Sequence, residues 1–191
     1  MKKILIPAVM LTVVITVLTG LVYPLVVFGL SQAFFPHQAN GSLITANGKI
    51  VGSALIGQKF TKPEYFHGRP SAAGDGYDAA NSGATNLGPT NQALVTRVRD
   101  DIKKFRQENP TYTGPIPADL LTTSASGLDP HISLAGAQYQ AARGARARNL
   151  TPAAVQALIA RLQRGPLFGI IGESQVNVLE LNMALDDSRN E

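Results

Sequence analysis

Four residues between positions 124 and 131 carry the side-chain types of a serine hydrolase: Ser124, Ser126, Asp129 and His131. A serine triad needs a nucleophile on a strained turn, a base from a separate element and an oxyanion hole beside them. The nucleophile-elbow pattern G-x-S-x-G does not occur in the sequence. The spacing therefore favours a turn, in which Asp129 and Pro130 end one segment and Ser133 caps the next. A hydrolase is the alternative interpretation of this cluster.

The other residues that could bind a ligand do not form a complete motif. His37, His67 and His131 lack the spacing of a zinc site. Residues 74–78 (GDGYD) lack the alternating oxygen ligands and the terminal glutamate of a calcium loop. The sequence contains no G-x-x-x-x-G-K-[ST] phosphate loop and no aspartate motif of a phosphorylated ion pump. We therefore expect a chain that is not an enzyme, with no catalytic residue, metal or cofactor of its own.

The composition of the 191 residues fits one membrane span and one ordinary domain. Apolar residues make up 45% of the chain and charged residues 16%, because one long stretch carries no charge. The formal charge is +4, and Lys2 and Lys3 account for part of it, which leaves about +2 for the remainder. So small a charge argues against a nucleic-acid partner. The absence of cysteine excludes disulfides and thiolate metal sites.

An uncharged run occupies residues 4–30. About 20 apolar residues suffice to cross a bilayer as a helix, so this run predicts one transmembrane helix. Lys2 and Lys3 are expected to stay in the cytoplasm while the polar remainder is translocated. We assign residues 1–35 to the cytoplasmic start and the span, and residues 36–191 to one extracytoplasmic domain. The alternative is a cleaved signal peptide, but its apolar core would normally span only about 7–15 residues.

Small residues recur along one side of this span, at Ala8, Thr12, Thr16 and Gly20, with Thr19 beside them. A spacing of four places them in one stripe, where a second helix could approach closely. The stripe predicts packing against helices of a partner, while lipid covers the other side of the span. Pro24 cannot donate a backbone hydrogen bond and crowds the carbonyl of Gly20, so a kink or loosened turn is expected there.

The polar part of the chain begins with a predicted β-hairpin. Residues 43–45 and 49–51 flank an Asn-Gly turn, and apolar residues 54–56 are expected to continue the second strand. Residues 62–90 contain too much Gly, Pro, Asn, Ser and Asp for regular structure and predict a long loop. Tyr65 and Phe66 supply apolar anchors, which favours an ordered loop on the domain surface.

Helices dominate the prediction for the second half of the chain. Residues 90–108 place their large apolar side chains on one face, which is typical of an amphipathic helix. Ser133 is expected to cap a second helix that runs to about Asn149, and Thr151 with Pro152 begins a third. Residues 176–185 fit a helix, although their alternating start also admits a strand.

The fold class is therefore α+β, with a single N-terminal transmembrane helix and one mixed domain that contains a hairpin, a long ordered loop and three or four helices. Arg143, Arg146 and Arg148 are interpreted as a solvated basic patch at a helix end, with anion binding as the alternative.

Six segments of the chain, taken in order, closely resemble the C subunit of the Kdp potassium-transporting P-type ATPase. They are residues 38–44 (QANGSLI), 52–58 (GSALIGQ), 65–72 (YFHGRPSA), 82–87 (SGATNL), 124–129 (SASGLD) and 177–186 (NVLELNMALD). The likeness covers nearly the whole chain, including the single N-terminal span.

This resemblance implies a bacterial inner-membrane complex in which a channel-like subunit carries potassium and a P-type pump subunit hydrolyses ATP. The chain would be a non-catalytic accessory subunit that assembles with both and stabilises the complex. The family is also described as a catalytic chaperone that raises the ATP affinity of the pump subunit, so ATP is implied only through that subunit. A glutamine proposed to contact nucleotide matches Gln140, but the expected topology places Gln140 outside the membrane, away from cytoplasmic ATP.

A second interpretation follows from the expected position of the domain over the extracellular mouth of the channel-like subunit. There it could stabilise the complex or shape ion entry through surface contact alone. Ordered glycine-rich loops often carry recognition, so the loop at residues 62–90 is the predicted contact surface. The residues assigned to this contact are Tyr65, Phe66, Gly68, Arg69 and Asn86.

Overall fold

The structure is a computed structural model that describes residues 2–46 and 48–188. The chain forms two compact units, which divide between Val51 and Gly52.

The first unit contains the apolar helix that the sequence predicts. Helix α1 covers Lys2–Val17, a π-helical turn covers Leu18–Val22, and α2 covers Tyr23–Phe34. The 32 residues Lys3–Phe34 within these elements form a helix that is long and apolar enough to cross a membrane. Its large apolar side chains are exposed in the isolated chain, as expected for side chains whose natural surroundings are lipid.

The loosened turn predicted near Pro24 is confirmed. The backbone N–H of Tyr23 donates to the carbonyl of Leu18, five residues earlier, instead of following the α-helical pattern. Pro24 has no N–H for the carbonyl of Gly20, so the α-helical ladder is interrupted at this level. The wider turn accommodates that gap while the chain stays helical on both sides.

The predicted hairpin is also confirmed. After the short helix α3 (Pro36–Ala39), strands β1 (Leu43–Ala46) and β2 (Lys49–Ser53) form a two-stranded sheet. Gly48 has a φ of +73°, as the predicted turn requires, whereas Asn47 lies outside the described residues. The prediction that residues 54–56 continue the strand is wrong, because the Ser53 hydroxyl accepts from Leu55 N–H and turns the chain there.

Three helices of the second unit begin at polar residues whose side chains cap them. The sequence predicts two of these caps. Helix α4 (Gln92–Glu108) is capped by Asn91, α5 (Leu134–Arg148) by Ser133 and α6 (Pro152–Leu162) by Thr151. Each cap side chain accepts a backbone N–H from the first turn of its helix, which satisfies a donor that the helix leaves unpaired.

A three-stranded antiparallel sheet completes the second unit. Its strands are β3 (His131–Ser133), β4 (Gln163–Arg164) and β5 (Gln175–Asn177), in the order β3-β5-β4. Helix α7 (Val178–Asp187) follows β5 directly and packs against α6. The preference for a helix over residues 176–185 is therefore wrong at its start, where Val176 pairs with Ile132 in the sheet, and correct from Val178 onward.

The core of this unit lies between α5, α6, α7 and the sheet. Its fully buried large side chains include Phe66, Leu120, Ile132, Ile159, Leu181 and Leu185. Phe66 belongs to the predicted loop at residues 62–90, where the described backbone contains only one short 3₁₀ turn, Ala79–Asn81. The loop is thus anchored in the core and ordered, as predicted. The α+β class with one N-terminal apolar helix is confirmed.

Candidate functional site

Gln140 on α5 holds the backbone of the loop rather than facing solvent. Its side chain is fully buried. Oε1 accepts from the backbone N–H of His67 at 2.8 Å, and Nε2 donates to the backbone carbonyl of His67 at 3.0 Å. Oε1 also accepts from Nη2 of Arg143 at 2.8 Å. Both ends of the amide are therefore occupied within the domain.

Asn182 on α7 repeats this arrangement one residue earlier in the loop. Its Oδ1 accepts from the backbone N–H of Phe66 at 2.8 Å, and its Nδ2 donates to the Phe66 carbonyl at 3.0 Å. Two side-chain amides therefore bind the N–H and the carbonyl of two consecutive loop residues, Phe66 and His67. We call Gln140 and Asn182 the amide clamp.

The prediction of a solvated basic patch on α5 is wrong for two of its three arginines. Arg143 is buried, and its Nη1 donates to the carbonyls of Pro63 and Tyr65 at 2.5 and 2.9 Å. Burial lowers the pKa of Arg143, although Glu108 opposes the shift. Arg148 has only 4% of its side chain exposed and pairs with Asp186 at 2.8 Å. These guanidinium groups hold the loop because Arg143 donates to two of its backbone carbonyls and Arg148 donates to a third, that of Glu64.

Tyr65 and the end of α5 form a further attachment of the loop. The guanidinium of Arg148 lies over the Tyr65 ring, 5.0 Å from its centroid, and its Nε donates to the Glu64 carbonyl at 2.8 Å. The Tyr65 hydroxyl donates to Asp186 at 3.3 Å. The loop is therefore bound along five consecutive residues, from Pro63 to His67.

The next part of the loop is attached to the rest of the domain through Arg69. Its Nη1 donates to Asp129 Oδ2 at 3.0 Å, and its Nη2 donates to the Thr123 carbonyl at 3.3 Å. Burial alone would raise the pKa of Asp129, but hydrogen bonds from His131 and Arg69 outweigh it, so the pKa is lowered. Asp129 is therefore held ionised as the partner of Arg69.

Tyr77 and Ser71 close the loop back onto residues 127–129. The Tyr77 hydroxyl donates to the Arg69 carbonyl at 2.7 Å, and the Ser71 hydroxyl donates to the Gly127 carbonyl at 2.6 Å. Burial, together with the charge of Asp129, raises the pKa of Tyr77 to about 12. The phenol of Tyr77 is thus protonated and donates a structural hydrogen bond. Residues 127–129, which we call the platform, bind this part of the loop.

The residues of hydrolase type are arranged as the turn interpretation expects. The hydroxyls of Ser124 and Ser126 lie 3.5 Å apart, and Ser126 accepts from the backbone N–H of Leu128. Asp129 Oδ1 accepts from the backbone N–H of His131 at 3.0 Å. Nε2 of His131 is buried and has no hydrogen-bond partner within the described ranges 2–46 and 48–188. Neither serine is therefore bonded to the imidazole.

A cavity of about 360 Å³ lies beside the amide clamp. It is lined by His67, Glu108, Arg143 and Arg146, together with Thr61, Pro63 and Ala147. His67 Nδ1 lies 3.6 Å from Glu108. Burial first, and the charge of Arg143 second, lower the pKa of His67, so a neutral imidazole faces the cavity. Arg143 and Arg146 contribute two positive charges to the wall of the cavity, and Glu108 contributes one negative charge.

The residues assigned to a partner contact occupy three different environments. Phe66 is in the core, while Tyr65, Gly68 and Arg69 are half-buried and Tyr65 and Arg69 bond within the domain. Asn86 is exposed, with a φ of +51°. An open hollow of about 670 Å³ lies beside Arg69, bordered by the apolar Leu55, Ile56 and Leu128. The contact role of these residues stays a prediction.

The small-residue stripe lies within the apolar helix of the first unit. The hydroxyl of Thr12 donates to the Ala8 carbonyl at 2.9 Å, and that of Thr19 donates to the Ile15 carbonyl at 2.8 Å. Both hydroxyls are thus satisfied within the helix and do not add unpaired polar groups to its surface. Thr16 and Gly20 are exposed in the isolated chain, and their role in helix packing also stays a prediction.

Sequence reasoning missed Asn182, Arg143 and Arg148 as residues that organise the loop. One signal was available for Asn182, which lies between Leu181 and Leu185 on the apolar face of α7. A polar residue on such a face must find a partner when it is buried. The sequence does not say that the partner is a loop more than a hundred residues earlier.

The fold and this site define a class of protein: a mixed α+β domain with an internally bonded surface loop, joined to one apolar helix of membrane-spanning length. A family model described as KdpC, K⁺-transporting ATPase, c chain, matches residues 5–187. The chain belongs to this family, which confirms the resemblance inferred from its six segments.

Similar proteins cover almost the full length of the chain. A potassium-transporting ATPase KdpC subunit of Koribacter versatilis (strain Ellin345) is 56% identical over 189 residues, which cover 99% of this chain and 97% of the relative. The corresponding subunit of Rhodospirillum rubrum is 54% identical over 187 residues, with 98% and 97% covered. That of Caulobacter vibrioides (strain NA1000 / CB15N) is 58% identical over 181 residues, with 94% and 91% covered.

Proposed function

We propose that this chain is a non-catalytic accessory subunit of an ATP-driven potassium uptake complex in a bacterial inner membrane. Its partners are a channel-like subunit that carries potassium and a P-type pump subunit that hydrolyses ATP. The observation that carries the proposal is the family match over residues 5–187, together with relatives named as KdpC subunits of potassium-transporting ATPases. In support, Gln140, Asn182 and Arg143 beside the loop are engaged in hydrogen bonds that hold the domain together.

The domain works on the extracytoplasmic side of the membrane in this proposal. Lys2 and Lys3 precede the uncharged run, and lysines beside a span remain preferentially in the cytoplasm. The chain crosses the membrane once, so the second unit lies in the periplasm or outside the cell.

Labelling of a single introduced cysteine tests this orientation. The chain contains no cysteine, so Asp187→Cys at an exposed position of α7 provides a unique thiol. We expect a membrane-impermeant maleimide to label this variant fully in intact spheroplasts. Lysis should add little further labelling. The parent chain, which has no thiol, is the control for non-specific reaction, and labelling that appears only after lysis would show the opposite orientation.

Contact with partners is proposed at two places. In the membrane, Ala8, Thr12, Thr16, Thr19 and Gly20 face helices of the other subunits. Outside it, Asn86 and the hollow beside Arg69 contact the channel-like subunit, and Tyr65, Phe66 and Gly68 contribute by fixing the shape of the loop. The ordered attachment of residues 63–77 supports this role, because a preorganised surface loses little entropy on binding.

The contact surface is tested by recovery of the complex through a tag on this chain. Arg69→Ala removes the ion pair with Asp129 and frees the loop, so we expect recovery of the other subunits to fall about tenfold, which corresponds to about 1.4 kcal/mol. Potassium uptake is expected to fall with it. Arg99→Ala removes an exposed arginine from α4 and is the matched control, with recovery unchanged.

A second variant separates the exposed contact from the shape of the loop. Asn86→Gly deletes the amide, and glycine adopts the positive φ of this position without strain. It is expected to weaken recovery without lowering the stability of the isolated chain. If both Arg69→Ala and Asn86→Gly leave recovery and uptake intact, the loop is not the contact surface.

Any effect on the ATP affinity of the pump subunit is indirect in this proposal. The amide of Gln140 is fully buried and bonded at both ends, so nucleotide contact would require the amide clamp to open. We propose that Gln140 influences the pump only by maintaining the loop that meets the partner subunits.

A further inference from the structure

An exposed apolar turn connects β4 to β5. Between Gly165 and Gly172 the chain carries no charged side chain. The exposed fractions of its large side chains are 60% for Leu167, 84% for Phe168, 83% for Ile170 and 60% for Ile171. Four such residues within five positions form a contiguous apolar surface, whereas single exposed apolar residues are ordinary.

Four backbone N–H groups of this turn donate to carbonyls within the turn. Leu167 N–H donates to the Ile171 carbonyl at 2.8 Å, and Ile171 N–H donates back to the Leu167 carbonyl at 3.0 Å. Gly169 N–H donates to the Pro166 carbonyl, and Ile170 N–H donates to the Leu167 carbonyl. A segment that enters an apolar medium must pair its polar backbone internally, because no water is available there.

Phe168 adopts an unfavourable backbone conformation for a bulky residue. Its φ is +54°, in the left-handed region that side chains other than glycine, asparagine and aspartate rarely occupy. This conformation places the ring at the tip of the turn, where it is the most exposed large apolar side chain of the second unit. Such strain is retained where the resulting position has a use.

We propose that this turn inserts into the bilayer surface and forms a second attachment of the domain to the membrane. The first unit supplies a candidate span in the same chain, so the domain is held close to a bilayer whichever side it occupies. A protruding apolar turn suits the interfacial region of a bilayer. Lipids, unlike a protein partner, need no complementary groove to receive it. Exposed Arg161 precedes the turn, and cationic side chains favour the headgroup level, whereas Arg164 beside the turn pairs with Glu180.

A fluorescence measurement on the full-length chain tests the proposal. The chain contains no tryptophan, so Phe168→Trp introduces a single fluorophore at an exposed position. The variant is placed as one copy per nanodisc in phosphatidylethanolamine and phosphatidylglycerol, with either ordinary or brominated acyl chains. Interfacial segments reach about 5–10 Å into the headgroup and acyl boundary, so we expect a shift of emission to shorter wavelength and marked quenching by bromine.

Two matched variants make the result specific to the turn. Lys103→Trp places the fluorophore on the exposed face of α4, where the side chain of Lys103 is 76% exposed, and its emission is expected to be the same in both lipids. Adding Ile170→Asp to Phe168→Trp places a charge in the inserted surface and is expected to abolish the quenching. Both substitutions replace exposed side chains and leave the core unchanged.

Equal emission of the Phe168→Trp variant in ordinary and brominated lipids would overturn the proposal. If that emission then shifted only when the other subunits were added, the turn would instead bind a protein partner. Either result leaves the proposed accessory role and its complex-recovery test unaffected, because neither of them depends on the turn.

Discussion

Gln140→Leu lowers the free energy of unfolding of the chain by roughly 3 kcal/mol, because it leaves buried polar groups without partners. The N–H and the carbonyl of His67 both lose their bonds to the amide, and Arg143 loses one acceptor. For a domain of this size such a loss lowers the Tm by about 6–12 °C. Urea and thermal unfolding of the purified chain, followed by circular dichroism, measure the effect.

The matched control for this prediction is Gln138→Leu. Gln138 lies on the same helix two residues earlier and is exposed, so the same chemical change is expected to alter stability by less than about 0.5 kcal/mol. Unchanged stability of Gln140→Leu, combined with an altered ATP dependence of the assembled complex, would contradict the clamp role. That result would favour a direct nucleotide contact at Gln140.

Gly127→Ala is expected to destabilise the domain by roughly 3 kcal/mol or more, through backbone strain and steric overlap together. Gly127 has a φ of +68°, and an added Cβ would lie 2.7 Å from both the backbone nitrogen of Ala73 and the carbonyl oxygen of Gly83. Both neighbours are backbone atoms, so a side-chain rotation cannot relieve the contact. The same segment receives the Ser71 hydroxyl bond, so residues 71–83 are expected to detach from their platform.

Limited proteolysis and unfolding measurements check this second prediction. We expect cleavage within residues 71–83 to become rapid in Gly127→Ala at temperatures where the parent chain is protected. Gly88→Ala is the control, since its added Cβ meets no atom within 4 Å and its φ is not in the left-handed region. A Gly127→Ala chain with parental stability and parental resistance to protease would show that the platform does not hold the loop.

The elements that the sequence predicts well are those whose signals are local. The caps of α5 and α6, the helical period of α4 and the Asn-Gly turn each depend on residues within one or two turns of chain. The long apolar helix, a candidate membrane span, could be predicted from the length of the uncharged run. The existence of an ordered loop could be predicted as well, because Tyr65 and Phe66 are unusual in a segment otherwise rich in turn residues.

The elements that the sequence predicts poorly depend on contacts with distant parts of the same chain. Strands β4 and β5 have two and three residues, too few to show a period, and they form only because each pairs with another part of the chain. The same holds for the amide clamp, since Gln140 and Asn182 bind loop residues 73 and 116 positions earlier. Arg143 and Arg148 look like surface residues for the same reason, because the carbonyls that they bind belong to that loop.

The π-helical turn at Leu18–Val22 changes the direction in which the second part of the long apolar helix points its side chains. One additional residue in a turn rotates everything that follows by about 100°, since an α-helix advances 3.6 residues per turn. The residues after Tyr23 therefore do not continue the helix face that carries Ala8, Thr12 and Thr16. The two parts of this helix, before and after the π-helical turn, therefore present their side chains in different directions, so each part can pack against a different neighbouring helix.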